Sequence, residues 1–277
     1  SVIVSVNNSL VCSVLDKYGT DFQKEKYLKK LAIGELLGAF SLSEPQSGSD
    51  ASNMLTFVKK DGNNYVLNGT KNWVTNGLHS NIVIVFALTT KGIGHKGISC
   101  FIVDKESSGF DVGKPEKKLG IRSSDTCELY FDNVKISKEN LIGKEGQGFK
   151  IALETLDGGR IGIASQALGI AQASLDASIK YSKEREQFGK KISSFQGIQF
   201  KIADMAIGID AARLMIRKAA WYKDNHLEFG IFAAQAKVFA SEIAMSSSID
   251  CVQIHGGYGY IKETGVERLM RDAKITQ

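Results

Sequence analysis

The stretch FSLSEPQSGSD, residues 40–50, is the segment around which the rest of the chain is arranged. An apolar run from Leu36 to Phe40 leads into small hydroxyl residues, one proline and one glycine. Pro45 lacks an N–H group and has a fixed φ, and Gly48 permits left-handed backbone, so we expect neither a regular strand nor a helix. Two interpretations remain. The segment is a plain surface turn, or its N–H groups and hydroxyls converge on an anionic or heteroaromatic ligand.

Length, composition and charge set broad limits on the fold and on the ligand. The 277 residues accommodate one large or two small domains, and an apolar fraction of 43% permits a sizeable core. The net charge of +5 is mild and the lysines are scattered. This agrees with a phosphate-bearing ligand and predicts no nucleic-acid groove. No apolar run reaches the roughly 18 residues of a membrane span.

The cysteines and histidines predict no metal site. Cys12, Cys100, Cys127 and Cys251 form no C-x-x-C pair, and the four histidines form no H-E-x-x-H motif. The spacing is typical of unpaired thiols in a reducing compartment. No secretory signal is visible. The chain starts at Ser1 without Met, so the possibility that a leader peptide has been removed stays open.

Hydrophobic periodicity divides the chain into three regions. Residues 1–37 read as helical, and Thr20 with Gln23 forms a capping box. Residues 38–148 alternate with period two, and residues 149–277 return to the helical period. The predicted fold class is therefore α+β, with a helical segment, a middle antiparallel β-barrel or sandwich domain and an antiparallel helical bundle.

Turn signals and apolar runs define the elements within these regions. Asp61-Gly62 predicts a hairpin, and the many short strands exclude a Rossmann unit because no βαβ alternation is present. We expect capping boxes at Ser193 and Thr264, and a left-handed helix-ending glycine at Gly256. The predicted helices of the last region cover residues 150–183, 193–224, 230–254 and a segment after Thr264.

Four ordered motifs resemble the acyl-CoA dehydrogenases, most closely their short-chain, butyryl-CoA type branch. SEPQSGSD, residues 43–50, resembles the flavin-binding signature of this family. The other three are KNWVTN (71–76), LDGGR (156–160) and QIHGGYG (253–259), and together the resemblance covers essentially the whole chain. It implies FAD as the cofactor and an oxidoreductase of fatty acid β-oxidation.

The resemblance also assigns cofactor contacts to individual residues. By their residue types alone, Trp73, Val74 and Thr75 are either a core triplet of a strand or a cover for a flat ring. The resemblance implies that Trp73 stacks on the flavin and Thr75 donates to its N5 edge. The implied cofactor-binding residues are Phe40, Leu42, Ser43, Gly48, Ser49, Trp73, Val74, Thr75, Arg185, Gln196, Gln253, Ile254, His255, Gly256 and Gly257.

Part of this set is implied to act across a subunit interface. Arg185 lies in a charged helix end that is otherwise typical of a solvated face. The resemblance implies that its guanidinium binds the FAD diphosphate of a neighbouring subunit, for which its planar fork is suited. Gln196 and residues 253–257 contact the same cofactor, although Gly256-Gly257 is equally a plain helix end. We therefore expect a homodimer or homotetramer in which FAD binding and association are coupled.

The substrate channel is implied by the glycine pair on the long helix. Two adjacent glycines in a helix interior cost about 1 kcal/mol each, so we expect a local distortion or a close approach of a ligand. Arg160 has a salt bridge with Glu154 as its alternative role. The resemblance assigns the acyl-CoA contacts to Ser49, Asp157, Gly158, Gly159 and Arg160.

The implied reaction is α,β-dehydrogenation of a short-chain acyl-CoA thioester to trans-2-enoyl-CoA, with electrons passed to electron-transferring flavoprotein. The expected base is a glutamate that the family carries after a segment like the one ending at Gln277, and Gly159 fills the position that other relatives use. We therefore name no catalytic residue. Because residues 1–37 match about half of the family's N-terminal domain, we expect a fragment truncated at both ends, with an incomplete last helix.

Two rival functions share the same motifs. One is a flavin oxidase that passes electrons to oxygen, and the other is a non-catalytic FAD- or acyl-CoA-binding relative, which the unassigned base favours. We expect no nucleic-acid partner and no membrane span. The expected compartment is a bacterial cytoplasm or a mitochondrial matrix.

Overall fold

The computed structural model describes residues 2–277, which form two compact units. The first unit comprises Ser1–Lys117 and Arg122–Gly159, and the second comprises Lys118–Ile121 and Arg160–Gln277. The predicted divisions at residues 37/38 and 148/149 stay a prediction. An α+β fold with N-terminal helices, a β-sheet region and a C-terminal helical region is confirmed.

Short helices open the first unit. A capping box begins the third helix as predicted, because Gln23 N donates to Thr20 Oγ1 at 3.2 Å and Thr20 N donates to Gln23 Oε1 at 3.1 Å. The buried Gln23 amide also donates to the carbonyl oxygens of Glu139 and Leu141, which ties the helices to the sheet. The helices are α1 (Val2–Ser5), α2 (Ser13–Tyr18), α3 (Asp21–Gln23) and α4 (Lys29–Ala32), with π-helical segments at Val6–Cys12 and Lys24–Leu28.

The first unit contains one eight-stranded sheet. Its strands are β1 (Gly38–Ser41), β2 (Phe57–Asp61), β3 (Asn64–Thr75), β4 (Ile82–Leu88), β5 (Ile98–Asp104), β6 (Phe110–Val112), β7 (Thr126–Ser137) and β8 (Leu141–Ile142). The order is β6-β7-β3-β2-β4-β5-β8, with β1 paired to β4. The predicted hairpin joins β2 to β3, and Gly62 at its turn has φ +57°. That positive φ is the conformation for which glycine is favoured.

The sheet differs from the predicted antiparallel barrel or sandwich in the direction of two strand pairings. It is mixed, because β1 runs parallel to β4 and β2 makes one parallel pairing with β4 at Phe57 and Leu88. Period-two alternation cannot reveal strand direction, so the sequence missed this. The pairing order ends at β6 and β8, so closure into a barrel is not confirmed.

Both faces of β4 are buried, which explains its continuous apolar sequence. Ile82, Ile84 and Phe86 face a core shared with the N-terminal helices and the start of the long helix. The alternate residues, Val83 and Val85 among them, face a second core built with β3, β5 and β7. The sheet therefore has an apolar core on each side in the middle of the first unit.

The second unit is helical. Its elements are α5 (Gly148–Glu184, from Arg160 onward), the short antiparallel pair β9 (Glu186–Gln187) and β10 (Lys190–Lys191), α6 (Gln196–Asp224), α7 (Gly230–His255) and α8 (Val266–Ala273). Its core is rich in buried alanine from α5, α6 and α7. Small side chains allow close approach of helices, so the alanine-rich sequence and the packing agree.

Two of the three predicted capping boxes are wrong. Ser193 lies in a 3₁₀ turn, and the residue before α6 is Phe195, which provides no side-chain cap. Gly265, with φ +73°, precedes α8, and the Thr264 hydroxyl donates instead to the Tyr258 carbonyl oxygen. Gly256 ends α7 with φ +59°, as expected for a helix-ending glycine, but its ψ of −136° lies outside the left-handed helical region.

Candidate functional site

A β-bulge interrupts β3 next to β7. Lys71 pairs with Leu129 and Val74 with Cys127, so Asn72 and Trp73 face a single residue of β7. Trp73 has φ +59°, and its N–H donates to Asn72 Oδ1 at 2.8 Å. A bulky residue in this region of backbone space is a genuine outlier, and such outliers cluster at ligand sites.

The three residues predicted to contact the flavin ring, Trp73, Val74 and Thr75, differ in solvent exposure. The Trp73 side chain is 63% exposed, whereas Val74 is buried in the second core of the first unit. Thr75 is half-buried and pairs with Thr126. The core-triplet interpretation therefore fails for Trp73, whose indole lies at the surface.

A buried ion pair lies directly before the bulge. Lys71 Nζ is 2.8 Å from Glu44 Oε1, and the side chains are 0% and 2% exposed. Lys71 also donates to the Leu42 carbonyl oxygen at 3.0 Å, and Glu44 accepts from the N–H groups of Leu55 (2.6 Å) and Thr56 (3.1 Å). No individual role was predicted for either charged residue. The available signal was that Glu44 and Lys71 lie inside two of the quoted motifs, SEPQSGSD and KNWVTN.

Opposing effects set the charge states of this pair. Burial lowers the pKa of Lys71 to about 8, although the neighbouring Glu44 carboxylate acts in the opposite direction. For Glu44, burial raises the pKa, but the Lys71 charge and the donated N–H groups outweigh it and hold the pKa below its usual value. Both groups are therefore charged at neutral pH.

The turn of residues 43–50 is held by its own backbone. Glu44 and Ser47 exchange two backbone hydrogen bonds, of 2.9 and 3.0 Å, and the Ser47 hydroxyl donates to the Asp50 carbonyl oxygen at 2.7 Å. Asn72 N–H donates to the Ser43 carbonyl oxygen at 2.8 Å, which joins the turn to the bulge. The remaining predicted residues of this segment are the half-buried Phe40, Leu42 and Ser43 and the exposed Gly48 and Ser49.

Asn76 fixes the far end of the motif that contains Trp73. It is buried with φ +67°, and its amide donates to the carbonyl oxygens of Ile3 (3.2 Å) and Gly38 (3.1 Å). Asn76 Oδ1 is buried without a hydrogen-bond partner among the described residues. Trp73 is thus an exposed residue between two buried residues, Lys71 and Asn76, whose side chains are held by hydrogen bonds.

A cavity of about 500 Å³ lies in the second unit, at the C-terminal end of α7. The His255 ring stacks on Tyr181 at 4.2 Å, and its Nδ1 donates to the Cys251 carbonyl oxygen at 2.7 Å. A carbonyl oxygen only accepts, so Nδ1 carries the proton and Nε2 is the acceptor of the neutral ring. The lining residues are Tyr181, Arg185, Gln187, Ile192, Ile254, His255, Gly256, Gly257, Tyr258 and Ile261.

The cavity brings together most of the second predicted cluster. Its lining includes Arg185, whose guanidinium lies 5.6 Å from the centre of the Tyr258 ring. Gln196 and Gln253 are exposed residues outside that lining. The two tyrosines of the wall were not predicted as site residues, although Tyr258 lies inside the motif QIHGGYG and Tyr181 lies four residues before Arg185.

The glycine pair lies in an undistorted part of α5. The helix is continuous through Gly158 and Gly159, so of the two predicted alternatives, local distortion or close approach of a ligand, the first does not occur. A Cβ atom on Gly159 would lie 2.9 Å from Leu10 Cδ2, which accounts for the small residue by close packing. On the preceding turn, Glu154 pairs with Lys17 at 2.6 Å and accepts a hydrogen bond from Tyr18.

Within residues 2–277, no group of three or more His, Cys, Asp or Glu residues is arranged to hold a metal ion. In the same part of the chain, no helix is both long and apolar enough to cross a bilayer.

Three sequence profiles of one family match the chain in order. They are the N-terminal, middle and C-terminal domains of acyl-CoA dehydrogenase, at residues 1–35, 39–134 and 146–277. The chain belongs to the acyl-CoA dehydrogenase family. The expected family and enzyme class are therefore confirmed.

Relatives of known name agree in sequence and in structure. The short-chain specific acyl-CoA dehydrogenase of Clostridium acetobutylicum is 48% identical over the whole chain, which spans 73% of that relative. The mitochondrial short-chain specific enzyme of Rattus norvegicus is 49% identical, with 67% of its length covered. The structure of butyryl-CoA dehydrogenase from Megasphaera elsdenii matches with a TM-score of 0.99 at 50% identity, covering 100% of this chain and 72% of that one.

A further solved structure carries the description of the electron transferring flavoprotein of Acidaminococcus fermentans. It matches with a TM-score of 0.99 at 51% identity and covers 100% of this chain and 73% of that one. Members of the family depend on FAD, and another structural neighbour is described as bound to FAD and proline. This family membership confirms FAD as the cofactor.

The residues present fit this cofactor. The Trp73 indole at the surface and the neighbouring Thr75 hydroxyl suit a flat ring with polar edges. The cavity of the second unit offers a guanidinium at Arg185 and exposed glycine backbone at Gly256-Gly257, which suit phosphate groups.

Proposed function

We propose that this chain binds FAD and a short-chain acyl-CoA and catalyses α,β-dehydrogenation of the thioester to trans-2-enoyl-CoA. The observation that carries the proposal is Trp73, a strained and exposed indole held on a bulge beside Thr75. Such an indole is suited to cover a planar heteroaromatic ring. The names of the relatives that are 48% and 49% identical support the short-chain substrate class.

Each part of the first unit has a task in this reaction. When bound, FAD supplies the flavin ring that accepts a hydride from the substrate β-carbon. Trp73 covers one face of the ring and excludes water from it, and the Thr75 hydroxyl donates a hydrogen bond at its edge. The turn of residues 43–50 contributes hydroxyls and backbone N–H groups toward the diphosphate, and its internal hydrogen bonds fix them beforehand.

The second unit supplies positive charge and a polar wall to FAD bound by a second subunit. Arg185 binds phosphate oxygens, because a guanidinium offers paired donors in one plane. His255 presents Nε2 as an acceptor, because its Nδ1 proton is held by the Cys251 carbonyl oxygen. Gln196 and Gln253 remain proposed contacts of the same cofactor on the exposed surface.

The acyl-CoA lies along Ser49 and residues 157–160 in this proposal. The short-chain class of the substrate rests on the names of the relatives, because the contact of Gly159 with Leu10 shows only internal packing. The α-proton must pass to a carboxylate, and we assign no such base within residues 2–277. Glu154 is held by Lys17 and Tyr18, and Glu44 by Lys71, so that each has a lowered pKa and is committed to another partner.

An apolar row on α6 supports self-association. Phe200, Ile207, Leu214 and Trp221 recur at every seventh position, and all four are largely exposed. A heptad-spaced apolar row on one helix face is typical of helix pairing between chains. The proposed assembly is a homodimer or homotetramer.

The proposed electron acceptor is an electron-transferring flavoprotein, which the match to the Acidaminococcus fermentans structure supports. An oxidase would instead pass its electrons to dissolved oxygen. The relatives include bacterial and mitochondrial proteins, so both predicted compartments, a bacterial cytoplasm and a mitochondrial matrix, are proposed.

Anaerobic reduction of the bound flavin tests the proposal. The natural protein, loaded with FAD, is mixed with butyryl-, octanoyl- or palmitoyl-CoA, and loss of the visible flavin band is followed. We expect butyryl-CoA to bleach the band fastest, and reoxidation by air to be slow. Absence of bleaching with every thioester, or a preference for palmitoyl-CoA, would contradict the proposal. Rapid reoxidation by air would instead indicate the oxidase.

A further inference from the structure

The buried pair of Lys71 and Glu44 joins the two segments of the first unit to which flavin contacts are assigned. Lys71 lies on β3 and Glu44 in the turn of residues 43–50, and their charged atoms are 2.8 Å apart. Lys71 also donates to the Leu42 carbonyl oxygen. Because both side chains are almost fully buried, neither can reach a surface ligand directly.

The pair and the residue next to it bind the backbone that leads into the bulge. Glu44 accepts from the Thr56 N–H, and next to it the Ser43 carbonyl oxygen accepts from the Asn72 N–H at 2.8 Å. Trp73 follows immediately with φ +59°. A bulky residue keeps such a conformation only when the surrounding structure imposes it. Lys71 is the last residue of β3 that is paired with β7 before the bulge, so it is placed to impose this conformation on Trp73.

Stability alone is a poor explanation for this pair. Apolar residues of similar volume often replace a buried ion pair without loss of stability, whereas charged groups with several fixed partners restrict the chain to one conformation. Lys71 has two oxygen partners, and Glu44 accepts from Lys71 and from two backbone N–H groups. The pair is therefore suited to restrict the backbone around Trp73 to a single conformation.

We infer that Lys71 and Glu44 are positioning residues that hold the Trp73 bulge in the conformation that presents the indole to the flavin. The inference rests on the proposed function, because the flavin is the ligand to which Trp73 is presented. The two residues act through Trp73 and through the turn of residues 43–50, not by contact with the cofactor.

Two variants test this inference in the full chain carrying Trp221→Phe, which leaves Trp73 as the sole tryptophan. Phe keeps position 221 of the apolar row on α6 aromatic, and the chain with Trp221→Phe alone is the reference for every comparison. Lys71→Met removes the ammonium group and keeps the aliphatic stem. Lys71→Met with Glu44→Gln also removes the buried negative charge, but keeps an oxygen that accepts from backbone N–H groups. This double variant folds even where the single one does not, because no unpaired charge is buried.

The matched control is Lys60→Met. Lys60 forms an ion pair with Glu145 at 2.9 Å on the same sheet, but its side chain is exposed. Removing a solvated partner changes little, so the control separates loss of a lysine from loss of the buried pair.

The first measurement is made without FAD, and the second with it. In FAD-free protein, emission and acrylamide quenching of Trp73 are expected to change in the double variant and to stay unchanged in Lys60→Met. At saturating FAD, the visible flavin band of the double variant is expected to shift, and its Kd for FAD to rise about tenfold.

Two results would overturn the inference. One is a folded double variant with unchanged Trp73 fluorescence. The other is changed Trp73 fluorescence together with an unchanged flavin band and unchanged FAD affinity, since the pair would then shape the bulge without serving the flavin. If the unaltered chain binds no FAD, the proposed function fails instead, while the FAD-free fluorescence still decides whether the pair positions Trp73.

Discussion

At the scale of single residues, Trp73 combines an unfavourable backbone conformation with an exposed side chain. A left-handed φ costs a residue with a Cβ atom roughly 1–2 kcal/mol, and burial of the indole within this chain does not offset that cost. The position is therefore best explained by a ligand that covers the indole. Glycine would adopt this φ without strain, but it has no aromatic side chain to cover a ligand.

Trp73→Gly separates the two properties of this residue. We expect the FAD-free variant to be as stable as the unaltered protein or more stable by up to about 1 kcal/mol, because the strain is relieved. FAD affinity is expected to fall at least about tenfold, because the stacking surface is lost. Urea unfolding and FAD titration measure the two effects.

His226→Gly is the matched control for that substitution. His226 is exposed, with φ +56°, in the connection between α6 and α7, and it belongs to no segment assigned to FAD. The same gain in stability is expected with no change in FAD affinity. Loss of stability without loss of FAD affinity in Trp73→Gly would show that the indole is structural.

At the scale of elements, α5 contains glycines in two different surroundings. Gly169 has no atom within 4 Å of an added Cβ, whereas a Cβ on Gly159 would meet Leu10. In a helix, Gly→Ala is favourable by about 1 kcal/mol where space allows. Gly169→Ala is therefore expected to raise the free energy of unfolding by 0.5–1 kcal/mol, roughly, and Gly159→Ala to give less or nothing. Equal gains in thermal melts would contradict close packing at Leu10.

The phenol of Tyr65 on β3 is expected to make the folded protein less stable at alkaline pH. Its hydroxyl donates to Glu145 Oε1 at 2.6 Å, and burial, with the Glu145 charge, raises its pKa to about 12. The unfolded chain releases this proton near its ordinary pKa of about 10, so between pH 10 and 12 the folded state binds more protons. Stability is then expected to fall as pH rises through this window, by at most about 3 kcal/mol.

Tyr65→Phe checks this dependence. The variant has no phenol to titrate, so the difference in unfolding free energy between it and the unaltered protein is expected to shrink from pH 10 to pH 12. A constant difference across that range would show that the Tyr65 proton is not held by the fold.

The elements also show what local sequence could and could not predict. The helix predicted for residues 150–183 is observed as Gly148–Glu184, because its apolar period continues over many turns. The capping boxes at Ser193 and Thr264 are wrong because tertiary turns place Phe195 and Gly265 at the helix starts. The β3 bulge and the parallel β1 strand depend on partners distant in sequence, which period-two alternation does not contain.

The same distinction applies to the candidate site. Motifs quoted from the sequence contain Trp73, Thr75 and His255, and Arg185 was predicted in a charged helix end. The structure presents these residues at a surface bulge and a cavity. The pair of Lys71 and Glu44 went unnoticed because burial and pairing are properties of the folded chain.

At the scale of the whole molecule, we expect self-association of the chain to depend on the exposed apolar row of α6, Phe200, Ile207, Leu214 and Trp221. Introducing a charge at its centre with Leu214→Glu places a carboxylate in that face, so we expect a smaller assembly by light scattering and weaker FAD binding. Asp210→Asn, at an exposed polar position of the same helix, is expected to change neither. An unchanged mass in Leu214→Glu would exclude this row as the interface.

The most direct test of the account is titration of the FAD-free protein with FAD while the fluorescence of Trp73 is followed, with Trp221 replaced by Phe. We expect saturable quenching that ends at one FAD per chain, because the flavin lies against the indole. Binding of FAD without quenching, or no binding at all, would contradict it.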